Sequence, residues 1–207
     1  MLSAMDGLSS LLLFAIIAAF TPGPNNIMIM TSGLNFGPKA SMPHFVGICL
    51  GFPSMFLAIG FGLGFIFERF TLVHSFIQVL GVLYLLYLSW LIAISGKAKA
   101  QDGQAKPLTF VQAALFQWIN PKAWVTGTSA IAAFTVMDAN LTAQILIIGL
   151  VLFLVAIPSA AVWMLFGASL QRVLSNPVQL RVFNVSMALL LAGSVMPVVI
   201  DLFRKYF

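Results

Sequence analysis

Two short stretches carry residues able to do chemistry in a chain that otherwise offers few. The first is Thr21-Pro22-Gly23-Pro24-Asn25-Asn26; the second is Gln117 followed by Asn120-Pro121-Lys122. Proline inside a helix removes a backbone donor and clashes with the preceding turn. In hydrocarbon, the carbonyls so freed must find partners in protein, water or ligand. Two prolines around a glycine therefore predict a helix that stops and restarts, with Gly23 as N-cap and Pro24 in the first helical position. The positive end of the restarted helix and its unpaired N–H groups can hold a carboxylate. Asn25 and Asn26 each add two donors and an acceptor. Hydrogen bonding between helices is their plainer role.

Asn120-Pro121-Lys122 lies about 11 residues beyond Phe110, which is roughly 16 Å of helix. A lone lysine at that depth costs at least about 2.5 to 3.5 kcal/mol. No acidic residue stands in the same apolar run. Lys122 must snorkel to an interface or face a wet cavity and meet an anion, and the neighbouring proline break favours the cavity. Gln117 and Asn120 share its polar face. Together the groups suit a zwitterion. The half-helix N-terminus and Lys122 would take an α-carboxylate, while asparagine oxygens and freed carbonyls would take an α-ammonium. The candidate binding residues are thus Pro22, Gly23, Pro24, Asn25, Asn26, Gln117, Asn120, Pro121 and Lys122, for an amino acid or a similar small solute.

The elements that must position these residues are membrane helices. Of 207 residues, 61% are hydrophobic and 7% charged, with a mean hydropathy of +1.05. A soluble domain keeps roughly a quarter of its residues charged. The apolar runs reach the length of about 20 residues that a spanning helix needs, and no alternating segments of a β-barrel appear. Six spans are expected in one transmembrane domain, residues 1–207: about 8–30, 43–67, 72–94, 110–136, 141–170 and 182–202. A polar bend is expected from Ser32 to Ser41, and the polar loop 95–109 separates halves of about 1–94 and 110–207.

Lys39, Lys97, Lys99, Lys106, Arg172 and Arg181 follow the odd spans, against Arg69, Arg204 and Lys205 on the other side. The richer side is expected in the cytoplasm, which leaves both termini outside. Pro53-Ser54 and Phe61-Gly62 recur as Pro158-Ser159 and Phe166-Gly167 at one offset of 105 residues. With three spans per half the second half must be inverted. Inverted repeats with broken helices, here 1 and 4, are a common plan of secondary transporters, with the substrate site near the midplane.

On these residues the chain resembles the LysE/RhtB family of bacterial amino-acid exporters. The resemblance rests on Thr21-Pro22-Gly23-Pro24-Asn25-Asn26, then Gly33, Gly37, Gly47 and Gly51. A second block is Ala105-Lys106-Pro107 with Phe110, Gln117 and Asn120-Pro121-Lys122-Ala123. It covers essentially the whole chain and implies an inner-membrane exporter of amino acids or their derivatives, driven by the proton motive force. The Ala105-Lys106-Pro107 neighbourhood and the doubled asparagine look most like the cysteine/O-acetylserine exporter branch. One departure bears on proton coupling: Asp6, Glu68, Asp102, Asp138 and Asp201 all lie near span ends or in loops. Proton relays usually use intramembrane carboxylates or histidines. His44 is the nearest titratable group and is expected at the membrane interface.

Other functions fit poorly. An enzyme needs a nucleophile with a base, a carboxylate pair or a metal cluster, and two histidines with one cysteine offer little. Cys49 alone excludes a thiol–disulfide carrier, and neither metal nor cofactor is expected. The net charge of +5 is spread over separate loops, so topology explains it better than nucleic acid does. A channel or an accessory membrane subunit is the alternative to an exporter. Gly47-x-x-x-Gly51 and Gly60-x-Gly62-x-Gly64 read as close helix packing within one chain or in a homodimer.

Overall fold

The computed structural model describes residues 4–63, 71–95, 106–136, 140–174 and 176–206. Gly64, Glu68, Arg69, Lys97, Lys99, Asp102, Ala105 and Asp138 lie outside them, as does most of the polar loop.

The described chain is helical and contains no strand. The helices are α1 (Ala4–Phe20), α2 (Pro24–Ala58), α3 (Thr71–Ala93), α4 (Phe110–Phe116), α5 (Pro121–Phe134), α6 (Leu141–Val173), α7 (Pro177–Gly193) and α8 (Met196–Tyr206). A π-helical turn, Ile59–Leu63, follows α2, and a 3-10 turn, Gln117–Ile119, follows α4. Four helical stretches, Pro24–Gly62, Ser75–Ala93, Leu141–Gln171 and Pro177–Arg204, are long and apolar enough to cross a membrane. Leu13, Ile17, Leu83, Trp90, Leu150 and Leu189 stand more than half exposed on the outer faces. Water would not tolerate so continuous an apolar surface, whereas lipid covers it. The protein is an all-α, multi-pass membrane protein.

The chain breaks just before Pro24 and Pro121, whereas Pro43, Pro53 and Pro158 lie inside α2 and α6 without ending them. α1 ends at Phe20 and α2 restarts on Pro24; the 3-10 turn ends at Ile119 and α5 restarts on Pro121. Gly7–Phe20 and Phe110–Ile119, which precede these restarts, are apolar but shorter than the four long stretches.

Two expectations about the elements are corrected. The polar stretch Ser32 to Ser41 is not a loop-like bend. The helix runs through it, and only Gly37 leaves helical geometry, at φ 80° and ψ 167°. Ser32 and Asn35 are buried and hydrogen-bonded internally, Ser41 is buried without a partner among the described residues, and Lys39 is exposed. Gly37 divides α2 into arms 24–36 and 38–58. The sixth span is not continuous over 182–202. It begins with α7 at Pro177, turns at Ser194 and Val195, and resumes as α8. The Ser194 hydroxyl donates to the Leu191 carbonyl at 2.6 Å, and Pro197 in the first turn of α8 has no N–H to continue the ladder.

Glycines set the helix crossings nearest the breaks. A Cβ on Gly33 would lie 2.1 Å from the Met164 carbonyl oxygen, and one on Gly167 would lie 1.9 Å from that of Met30. The first arm of α2 and α6 thus touch backbone to backbone, each contributing one glycine. Gly47 and Gly51 seat the second arm of α2 against Phe110, Ala113 and Ala114 of α4. That pattern, which also admitted a homodimer, is used inside the chain.

Candidate functional site

The two breaks meet. Asn25, second residue of α2, donates to Gln117 Oε1 at 2.8 Å and accepts from Gln117 Nε2 at 3.1 Å. Gln117 is fully buried and also donates to the Ala113 carbonyl at 2.9 Å. The pair ties the restart of α2 to the end of α4.

The end of α1 presents carbonyls that the break leaves without intrahelical donors. Asn26 Nδ2 donates to the Ala19 and Thr21 carbonyls at 2.8 and 2.9 Å. Ser159 of α6 adds a 2.8 Å bond to Ala19, and the Lys122 ammonium donates to the Thr21 carbonyl. A cation at a helix C-terminus meets the negative end of its dipole. Lys122 is half-buried and faces this cluster rather than snorkelling away. The side chain of Asn26 spans the break that its own sequence neighbourhood creates.

Gly23 is the N-cap of α2, extended at φ −171° and ψ −179°, with Pro24 in the first helical position. A Cβ there would lie 2.7 Å from Lys122 Cδ and 3.1 Å from Nζ, so the lysine lies across the glycine. No side chain caps α2. α5 differs: its N-cap Asn120 accepts from the Lys122 N–H through its own Oδ1, at 3.2 Å. Of the two restarts, only the second carries a side-chain cap.

A cavity of about 80 Å³ lies between these groups. Gly23, Asn25, Asn26, Asn120 and Lys122 form its polar side, and Phe52, Leu152 and Ala156 belong to the apolar side. It has room for several waters or a small solute. Leu152 to Ala160 sit near the middle of α6. Pro22, Pro24, Pro121 and Gln117 are not among its lining residues: the prolines shape the breaks, and Gln117 holds Asn25 from behind. Sequence reasoning missed Ser159 and Thr126, which also line it. The recurring Pro158-Ser159 pair was the available signal for the first; nothing marked the second.

Two further polar pairs lie deeper. His44, expected at the interface, is 1% exposed. Its Nδ1 is 2.9 Å from Ser32 Oγ, because the Gly37 break folds the second arm of α2 back near the first. Asn35 and Asn184 exchange bonds of 3.1 Å each between α2 and α7.

Residues 16–200 match the LysE type translocator family. The chain belongs to this family. The cysteine/O-acetylserine efflux proteins of Escherichia coli (strain K12), Shigella flexneri and Shigella sonnei (strain Ss046) are each 30% identical to it over 188 residues, covering 89% of this chain and 93% of theirs. No solved structure matches the chain. As a LysE type translocator the protein is a transporter and not an enzyme.

Proposed function

We propose that this LysE type translocator exports small neutral amino acids or their derivatives, of the cysteine and O-acetylserine kind, across the bacterial inner membrane. The observation that carries the proposal is the convergence of the Lys122 ammonium and the uncapped N-terminus of α2 on one small cavity. An α-carboxylate entering there accepts from the Asn25 and Asn26 N–H groups and from Lys122. Lys122 then leaves the Thr21 carbonyl, which becomes free to accept from the α-ammonium. Ala15, Ala19, Ala156 and Ala160 line the cavity and leave space for a short side chain only. The names of the efflux relatives point to the same substrate class.

The transport cycle follows the six-span, inverted-repeat plan, with halves of about 1–94 and 110–207. Its support is the pair of proline restarts at Pro24 and Pro121 and the interior prolines Pro53 and Pro158 in the long helices α2 and α6. Alternating access about the cavity is powered by the proton motive force. The side carrying Lys39, Lys106 and Arg181 faces the cytoplasm and both termini face the periplasm, by the distribution of basic residues.

The test is efflux of preloaded radiolabelled amino acids from proteoliposomes under an imposed proton gradient, comparing wild type with Lys122→Ala. Gradient-dependent efflux of a few small neutral amino acids, lost in the variant, is the expected result. Equal efflux by the variant removes the carboxylate site. No efflux by folded wild-type protein removes the exporter reading and leaves a channel or accessory subunit.

A further inference from the structure

A second cavity, of about 320 Å³, opens where the first arm of α2 meets the end of α3 and residues 106–108. It shares no lining residue with the cavity at the breaks. Thr31, Ser32, His44, Tyr87, Ser95 and Lys106 give it polar groups. Ser32 and His44 are buried and joined through Nδ1, while His44 Nε2 has no hydrogen-bond partner among the described residues. A buried polar atom left without a partner calls for an explanation. Lys106 is the one charged side chain among the lining residues, and no described carboxylate lines the cavity to neutralise it.

We infer that this cavity is a second solute site, which takes a small carboxylate-bearing molecule. The carboxylate faces Lys106, and the hydroxyls of Thr31 and Ser32 meet the solute's polar groups, with His44 fixed behind Ser32. The inference rests on the export reading, since the exported solute is the molecule it holds. It adds a loading site on the side of the membrane where Lys106 lies. The two cavities flank one helix arm: from Asn26 to Ser32 the rise is about 9 Å. Ile27, next to Asn26, packs in an apolar cluster with Leu85 and Phe116. A solute moving from one site to the other must displace that cluster, which then serves as the barrier between them.

Equilibrium dialysis of radiolabelled O-acetyl-L-serine against purified full-length protein, at a mildly acidic pH where the ester persists, counts the sites. Two molecules per wild-type chain are expected. Leu91→Trp, which fills the second cavity, retains one, and Lys122→Met retains the other. Thr31→Leu fills the same cavity from another wall, and size-exclusion profiles report which variants fold. A single molecule per chain, kept by both filling variants and lost in Lys122→Met, overturns the second site and leaves the export reading standing. Two molecules reduced by Leu91→Trp but not by Lys122→Met uphold the second site and remove the first. No binding to folded wild-type protein overturns both.

Discussion

Asn25 and Gln117, 92 positions apart, exchange two side-chain hydrogen bonds and so join the two helix breaks. Each amide satisfies the other where water is scarce. Removing one member strands its partner, and an unsatisfied buried polar group costs about 1 to 3 kcal/mol. Asn25→Ala and Gln117→Ala should each lower the thermal midpoint of the purified protein. The double variant should lose less than the sum of the two, since neighbours in one network couple by about 0.5 to 3 kcal/mol. Strict additivity would show that the pair does not act as a unit.

Gly23 and Gly167 should fail differently as alanines. At Gly167 the new Cβ would stand 1.9 Å from a backbone oxygen of Met30. Backbone cannot yield without parting α2 from α6, and overpacking of a tight core costs about 1 to 3 kcal/mol or more. Gly167→Ala should therefore reduce the yield of folded protein and its thermal midpoint. At Gly23 the obstacle is the flexible Lys122 side chain, 2.7 Å away at Cδ. Gly23→Ala should keep the fold, displace the ammonium and sharply reduce efflux from proteoliposomes. Normal efflux from Gly23→Ala would mean that the lysine's resting position is irrelevant to transport.

Gly37 holds a conformation open essentially to glycine, φ 80° with ψ 167°. A Cβ there meets nothing within 4 Å, so the penalty of Gly37→Ala is one of backbone geometry alone. It should destabilise the protein by about 1 to 3 kcal/mol, read as a lower midpoint in thermal unfolding. An unchanged midpoint would show that the two arms of α2 can meet at another angle.

Asn120 separates the two restarts, since its Oδ1 occupies the leading N–H of α5. Asn120→Ala removes this cap at a cost of typically about 1 kcal/mol and exposes a second anion-receptive helix end beside the same cavity. Efflux should persist, with a raised sensitivity to inhibition by small inorganic anions. Identical inhibition curves for variant and wild type would show that the end of α5 is out of reach.

The breaks were legible in the sequence because the local context is strong: Pro24 follows Pro22 and Gly23, and Pro121 follows a capping asparagine, whereas the isolated Pro43, Pro53 and Pro158 stay inside helices. Lys122 was legible for a related reason, since a charge deep in an apolar run demands a polar partner. What the sequence concealed depends on long-range packing. Asn184 meets Asn35 across 149 positions, and no local pattern announces it. The stretch from Ser32 to Ser41 misled because polarity in a membrane chain has two meanings, an exit to water or an internal bond; Ser32 with His44 is the second. In the sixth span, mean hydropathy hid a turn at Ser194, because a helix interruption costs no polarity when a serine side chain closes it.

The Lys122 ammonium rests on the Thr21 carbonyl, and this has a consequence for the speed of the carrier. A hydrated ammonium in the empty state would have to shed its water anew in every cycle, and a bare one would grip any carboxylate too firmly to release it. With an internal stand-in already bound, arrival and departure of a solute each become the exchange of one partner for another. Such swapping flattens the free-energy profile between loaded and unloaded forms. In the export proposed above, that exchange trades tightness for turnover.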